Sequence, residues 1–197
     1  MLMGSDWEIT QDRQLIDFKK GADVFSLKEK KGAIVVGELL NSLVPDKTCL
    51  DVGCGILPLP RYMEVATQVK FTGIDPFDAE GRQFTFIKGL IEDIQIENES
   101  FDAILFATSF DHVRYPEKAI NQVYRILKNS GYLIIWGSFR NEYDSKYKLW
   151  IKTRSLSIYN HPWVFTLNTI HKLLQNRFTL IKVVNIVNAE KVLIYQK

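Results

Sequence analysis

The stretch Cys49 to Pro60, CLDVGCGILPLP, constrains this chain more than any other, because an apolar run ends in Asp51 and passes at once into Gly53 and Gly55. The run reads as a buried strand. The two glycines let the backbone turn tightly and approach a ligand where a Cβ would clash. A short helix is expected after the turn, offering its N–H groups to a polar ligand that Asp51 faces from the strand end. A nicotinamide or flavin fingerprint, G-x-G-x-x-G, needs a third glycine where this chain has Pro58. A pyrophosphate then has no close seat, which favours a ligand lacking one.

From Asp46 onward, short apolar runs alternate with helical or polar stretches, the pattern of a parallel sheet with crossover connections. Strands are expected at Thr48 to Val52, Val69 to Ile74, Phe84 to Ile87, Phe101 to Ala107 and Tyr132 to Trp136. Several are apolar almost throughout, which suits burial on both faces. Helices are expected at Leu27 to Leu43, at Pro116 to Lys128 with Pro at its start and Gly131 beyond its end, and at Leu167 to Gln175 capped by Thr166. Ile74 to Phe84 is too short for a full crossover helix. Phe178 to Val187 and Lys191 to Lys197 read as a hairpin. An antiparallel pair closing a parallel sheet departs from the plain dinucleotide-binding domain.

Asp51-Val52-Gly53-Cys54-Gly55 resembles motif I of the class I S-adenosylmethionine (SAM)-dependent methyltransferases, and the chain is similar to a small type-11-like member. The likeness in element order covers roughly the final three quarters of the chain. It implies a Rossmann-like α/β fold with a seven-stranded sheet in the order 3-2-1-4-5-7-6, a C-terminal antiparallel hairpin and helices on both faces. It also implies SAM as donor, S-adenosylhomocysteine (SAH) as product and a small-molecule acceptor.

Within that resemblance, Gly73-Ile74-Asp75-Pro76 puts a carboxylate at the end of the next strand, 24 residues after Asp51, where it can accept from a ribose diol. A turn aspartate before proline is the plainer alternative. Lys88 to Ile94 looks like the family's adenine-side loop, with Leu90 where many relatives carry an acid; Leu90 and Ile91 then pack on the adenine and Glu92 is a candidate acceptor for its amine. Phe106, Ala107 and Thr108 are expected at the methionine part of the donor. Asp111 and His112 are expected near the acceptor, His112 either as general base or as a residue orienting the loop before Pro116.

Between Gly137 and Thr166 the chain is rich in rings, including Tyr143, Trp150, Tyr159 and Trp163, with His161-Pro162 among them. Such side chains suit a wet acceptor pocket or a loop packed on the sheet edge. His161 to Thr166 resembles a stretch in some methyltransferases of sugar and glycan synthesis, which points to a sugar hydroxyl or a related metabolite as acceptor.

The 197 residues fit one domain, read as an N-terminal helical lid over 1–45, a cofactor-binding half over 46–137, and an acceptor-side insert with the hairpin over 138–197. Lys and Arg are spread along the chain and the net charge is +2, so nucleic acid is not an expected partner. No membrane span or leader is expected, Cys49 and Cys54 read as reduced thiols, and a cytoplasmic monomer or homodimer follows. His112, His161 and His171 lack metal-ligand spacing, so no metal is expected. Two rivals remain open at this point: a SAM-binding module without turnover, acting as a partner or regulatory protein, and a nicotinamide reductase, which Pro58 opposes.

Overall fold

A computed structural model describes residues 4–19, 31–140, 162–187 and 189–197. Its centre is one seven-stranded sheet built from β1 (Thr48–Val52), β2 (Lys70–Asp75), β3 (Thr85–Lys88), β4 (Phe101–Ala107), β5 (Leu127–Ser138), β6 (Thr179–Asn185) and β7 (Glu190–Gln196). The strand order is β3-β2-β1-β4-β5-β7-β6. The first five strands run parallel, while β7 runs antiparallel to both β5 and β6. This is the order and the C-terminal hairpin that the sequence led us to expect.

Side-chain alternation along the strands divides the core in two. Leu50, Val52, Ile104, Phe106, Leu133 and Ile135 point to one face, where α4 (Pro116–Ile126) buries Ala119, Ile120, Val123 and Ile126, and α5 (Leu167–Leu174) buries Ile170 and Leu174. Cys49, Ala103, Leu105, Ile134 and Trp136 point to the other, against α2 (Lys31–Leu43) and α3 (Arg61–Val65). Burial of both faces accounts for the near-continuous apolar runs. Thr166 caps α5 in a reciprocal box: its hydroxyl accepts from Thr169 N–H at 3.2 Å, and the Thr169 hydroxyl accepts from Thr166 N–H at 2.8 Å.

Three elements differ from expectation. The helix after the glycine turn is only five residues long and begins at Arg61, because Pro58 and Pro60 hold the intervening chain extended or turned. The crossover helix ends at Ile126 rather than Lys128, and β5 begins at Leu127, well before Tyr132. Gly131 therefore lies inside a strand instead of past a helix end; a Cβ there would come within 2.9 Å of the Asp102 carbonyl. No helix forms between β2 and β3, as the short spacing required. Helix α1 (Gly4–Lys19) falls within the segment expected to form an N-terminal helical lid.

Candidate functional site

A cavity of about 630 Å³ opens at the carboxyl ends of β1, β2, β4 and β5, on either side of the point where the strand order reverses. Open α/β sheets bind their ligands at such a switch point. Its floor is the turn after β1. Gly53 has φ +74°, its N–H donates to the Ile74 carbonyl at 2.8 Å, and a Cβ there would lie 2.6 Å from that of Ser109. The Ser109 hydroxyl donates to the Val52 carbonyl, tying the loop after β4 to this turn. Gly55 also has positive φ, +67°, but a Cβ there would meet nothing within 4 Å and would project into open space. One glycine thus makes room for protein, the other leaves room for a ligand.

Asp75 organises the turn and lines the cavity. Its Oδ2 accepts from Gly55 N–H at 2.8 Å and its Oδ1 from Phe77 N–H at 2.9 Å. Each carboxylate oxygen can accept a further bond, so a ribose diol remains within its capacity. Burial pushes its pKa up against the lowering effect of those two N–H groups. Pro76 lines the same wall, as do Leu90 and Ile91, the apolar pair expected beside an adenine, and Glu92, the acid expected to meet its amine. Glu92 is anchored from behind: its Oε1 accepts from Arg114 N–H at 2.7 Å and Tyr115 N–H at 3.0 Å. The carboxylate therefore fastens the loop before α4 to the short 3₁₀ turn Ile91–Asp93, and only Oε2 is left to meet a ligand amine.

Two expected donor contacts are placed elsewhere. Asp51 was expected to face the ligand from the strand end; it is fully buried and absent from the cavity wall, because alternation along β1 turns it with Cys49 toward α2 and α3. There its Oδ2 accepts from the Tyr62 hydroxyl at 2.5 Å. Burial pushes its pKa up to about 7, partly offset by that hydrogen bond. Phe106 likewise points into the α4 face of the core, whereas Ala107 and Thr108 reach the cavity. Thr108 has φ +58°, a conformation a β-branched residue adopts at a cost, and its N–H donates to the Trp136 carbonyl at 2.8 Å. Cys54 lines the floor; burial pushes its thiol far above the usual range, so it is no nucleophile.

The acceptor end is assembled from distant segments. Asp111 and His112 lie in the 3₁₀ turn Phe110–His112, with His112 Nε2 3.8 Å from Asp111 Oδ1. Two tryptophans pin this turn. Trp7 Nε1 of α1 donates to the His112 carbonyl at 2.9 Å, and Trp163 donates from its backbone to Asp111 at 3.1 Å and from Nε1 to Val113 at 2.6 Å. Trp7, Gln11 and Gln14, spaced along one face of α1, roof the cavity. An N-terminal helical lid was expected, but not that Gln11 and Gln14 line the cavity beside Trp7; Tyr62, Ser109 and Arg114 were also missed, and the Trp7, Gln11, Gln14 spacing was the one available signal. Tyr143, Trp150, Tyr159 and His161 lie outside the described residues. Among the described residues, no group of three or more His, Cys, Asp or Glu side chains is placed to hold a metal ion, and no helix is long and apolar enough to cross a membrane.

Sheet order, the glycine turn and the carboxylate at the end of β2 are those of a class I SAM-dependent methyltransferase. The chain belongs to the methyltransferase domain family, whose model matches residues 29–181. No curated protein matches it. Among solved structures it is similar to the Burkholderia thailandensis 1,6-didemethyltoxoflavin-N1-methyltransferase, bound to 1,6-didemethyltoxoflavin and S-adenosylhomocysteine, at 12% identity over 100% of this chain and 91% of that one, with a TM-score of 0.77. A SAM-dependent methyltransferase of Thermotoga maritima aligns at 22% identity over 84% and 89% of the two chains, TM-score 0.62. The [4+2]-cyclase SpnF aligns at 13% identity over 83% and 80%, TM-score 0.64. At these identities the likeness is one of fold, and the cyclase shows that the fold alone does not fix the reaction.

Proposed function

We propose that this chain transfers a methyl group from SAM to a small-molecule acceptor held beneath α1, beside Asp111 and His112. The donor supplies a methyl group already activated on a sulfonium. What remains for the protein is to hold the acceptor atom in line and keep water out. The observation that carries the reading is the vacant space over Gly55. It lies where the Asp75 carboxylate and the apolar wall of Leu90 and Ile91 can flank one nucleoside, while Ala107 and Thr108 border the methionine end.

At the other end Trp7 and Trp163 line the cavity, and their hydrogen bonds hold the turn that carries His112. His112 would take the proton from an acceptor hydroxyl or ring N–H, with Asp111 orienting it. A sugar hydroxyl is one acceptor of this kind. A planar heterocycle, such as the one bound by the Burkholderia enzyme, is another. Such a reaction fits a cytoplasmic protein whose two thiols stay reduced.

Calorimetric titration with SAM, followed by a labelled-methyl screen against hydroxylated sugars and nitrogen heterocycles, tests the proposal. Stoichiometric donor binding with turnover on one of these classes supports it. Donor binding without turnover on any of them favours a non-catalytic binding module, and absence of donor binding refutes the donor assignment.

A further inference from the structure

Among the described residues, Asp51 is the buried acid near the cavity that the proposed reaction does not use. It has no exposed surface, and the segment Val52 to Gly55 that follows it forms the cavity floor. Two residues of the cavity wall, Cys54 and Asp75, lie close enough to couple electrostatically with this carboxyl. Its Oδ2 accepts from Tyr62 at 2.5 Å, while Oδ1 has no hydrogen-bond partner among the described residues. An ionised carboxylate sealed from water with one oxygen unpaired is costly, and the proton is the cheapest remedy.

The groups packed around it do not supply a neutralising charge. Tyr62 from α3 and the thiols of Cys49 and Cys54 are held neutral by burial, and β4 presents apolar Leu105 opposite Asp51. Asp75 at the end of β2 adds a second carboxylate. Arg82 is the nearest cation, but its guanidinium is committed elsewhere. It donates to the Phe77 carbonyl at 3.0 Å, reaches Cys54 Sγ at 3.6 Å and stacks 3.9 Å over Phe86, and it makes no ion pair among the described residues. Burial, first, and the Asp75 charge raise Asp51 to about 7 against the lowering effects of Tyr62 and Arg82.

We infer that Asp51 is a charge-sensing residue, protonated while the cavity holds no cation and ionised when the positively charged donor seats. Its O–H bond breaks heterolytically, the electron pair stays on the carboxylate, and the proton passes to solvent. The inference rests on the donor assignment above. SAM carries a net charge of +1 at neutral pH, whereas SAH carries none. A negative Asp51 thus attracts the donor across a low-dielectric gap and gives the spent product no such attraction. The residue thereby helps to select fresh donor over product and to let the product leave.

The test is calorimetric titration of the whole protein with SAM and with SAH at pH 7, in two buffers of different ionisation enthalpy, and then from pH 6 to pH 8. If the donor lowers the Asp51 pKa by about one unit, linkage gives roughly five-fold tighter SAM binding at pH 8 than at pH 6. SAM should release more protons than SAH. In Asp51→Asn the Asp51 share of the release vanishes and only the ligand's own amine titrates. In Tyr62→Phe, which keeps the carboxyl but removes its donor, the pH midpoint moves upward. Equal proton release with SAM and SAH, or a SAM profile unchanged in both variants, overturns the inference while leaving the donor assignment standing. No heat with either ligand overturns both.

Discussion

Replacing Gly55 by alanine separates the ligand's needs from the fold's. In the ligand-free molecule the new Cβ meets nothing within 4 Å, so the only cost to folding is an alanine held at φ +67°. That conformation costs an L-residue about 1–2 kcal/mol. In a domain of this size the melting temperature should fall by roughly 2–8 °C. The Gly55 N–H, and with it the bond to Asp75 Oδ2, is retained. Donor binding should suffer more. The methyl group would occupy the volume assigned to the nucleoside, and overpacking of that kind costs about 1–3 kcal/mol, a loss of roughly 5- to 150-fold in affinity.

Gly53→Ala is the matched control, since its Cβ would lie 2.6 Å from Ser109 Cβ and force apart the loop joined through the Val52 carbonyl. That variant should lose stability well beyond the strain of its φ of +74°. Thermal unfolding without ligand, paired with calorimetric titration of SAH, reads both quantities. A Gly55→Ala protein that melts a few degrees low yet binds SAH with wild-type affinity would show that the donor lies elsewhere, and the assignment of this turn would fail.

Asp75→Ala removes the acceptor for two backbone N–H groups as well as the proposed ribose contact, and hydrogen bonds to a charged acceptor are worth about 1.5–3 kcal/mol each. SAH affinity by calorimetry should drop by at least roughly ten-fold. His112→Asn should lower kcat for a hydroxyl acceptor by about 100-fold with SAM affinity unchanged, measured by single-turnover kinetics and titration; an equal loss in both would make the residue structural. Asp51, raised from 3.8 to about 7, binds its proton more tightly folded than unfolded. Its stabilising share is complete below about pH 4 and is lost as pH rises to about 7, a swing on the order of 4 kcal/mol. Melting temperatures of wild type and Asp51→Asn should diverge across that window, with the variant gaining, and run parallel above pH 8; a constant gap contradicts the raised pKa.

The half of the site assigned to the donor was legible because it rests largely on backbone geometry. A strand that ends in two glycines, and a carboxylate at the end of the neighbouring strand, are features of chain geometry that period and spacing report directly. The orientation of Asp51 was not, although alternation with Leu50 and Val52 contained the clue, because the sequence does not say which face of β1 meets the α4 side. The early start of β5 escaped notice because Asn129, Ser130 and Gly131 look like a helix stop, while Ser130 in fact holds φ +60° within the strand. A helical lid over 1–45 was expected, but which residues of α1 would face the cavity was hidden for a different reason. Its cavity face carries Trp7, Gln11 and Gln14, a mixed stripe that resembles neither a core face nor a charged surface.

This contrast between halves has a consequence for where specificity resides. In the proposed reading the turn after β1 and Asp75 hold the donor, and Gly53 is pressed against Ser109, which leaves little room there for change. The end assigned to the acceptor is instead built from side chains on α1, the turn Phe110–His112 and the segment around Trp163, three pieces far apart in sequence, with one hydrogen bond from Trp7 and two from Trp163 joining them. Changing Trp7 or Gln11 leaves the sheet and donor turn untouched, yet reshapes the roof under which the acceptor lies. A fold that keeps one half rigid and the other replaceable can accept new acceptors without re-forming its donor site. The residues that choose this protein's acceptor should therefore be sought in the roof and not in the motifs that reveal the family.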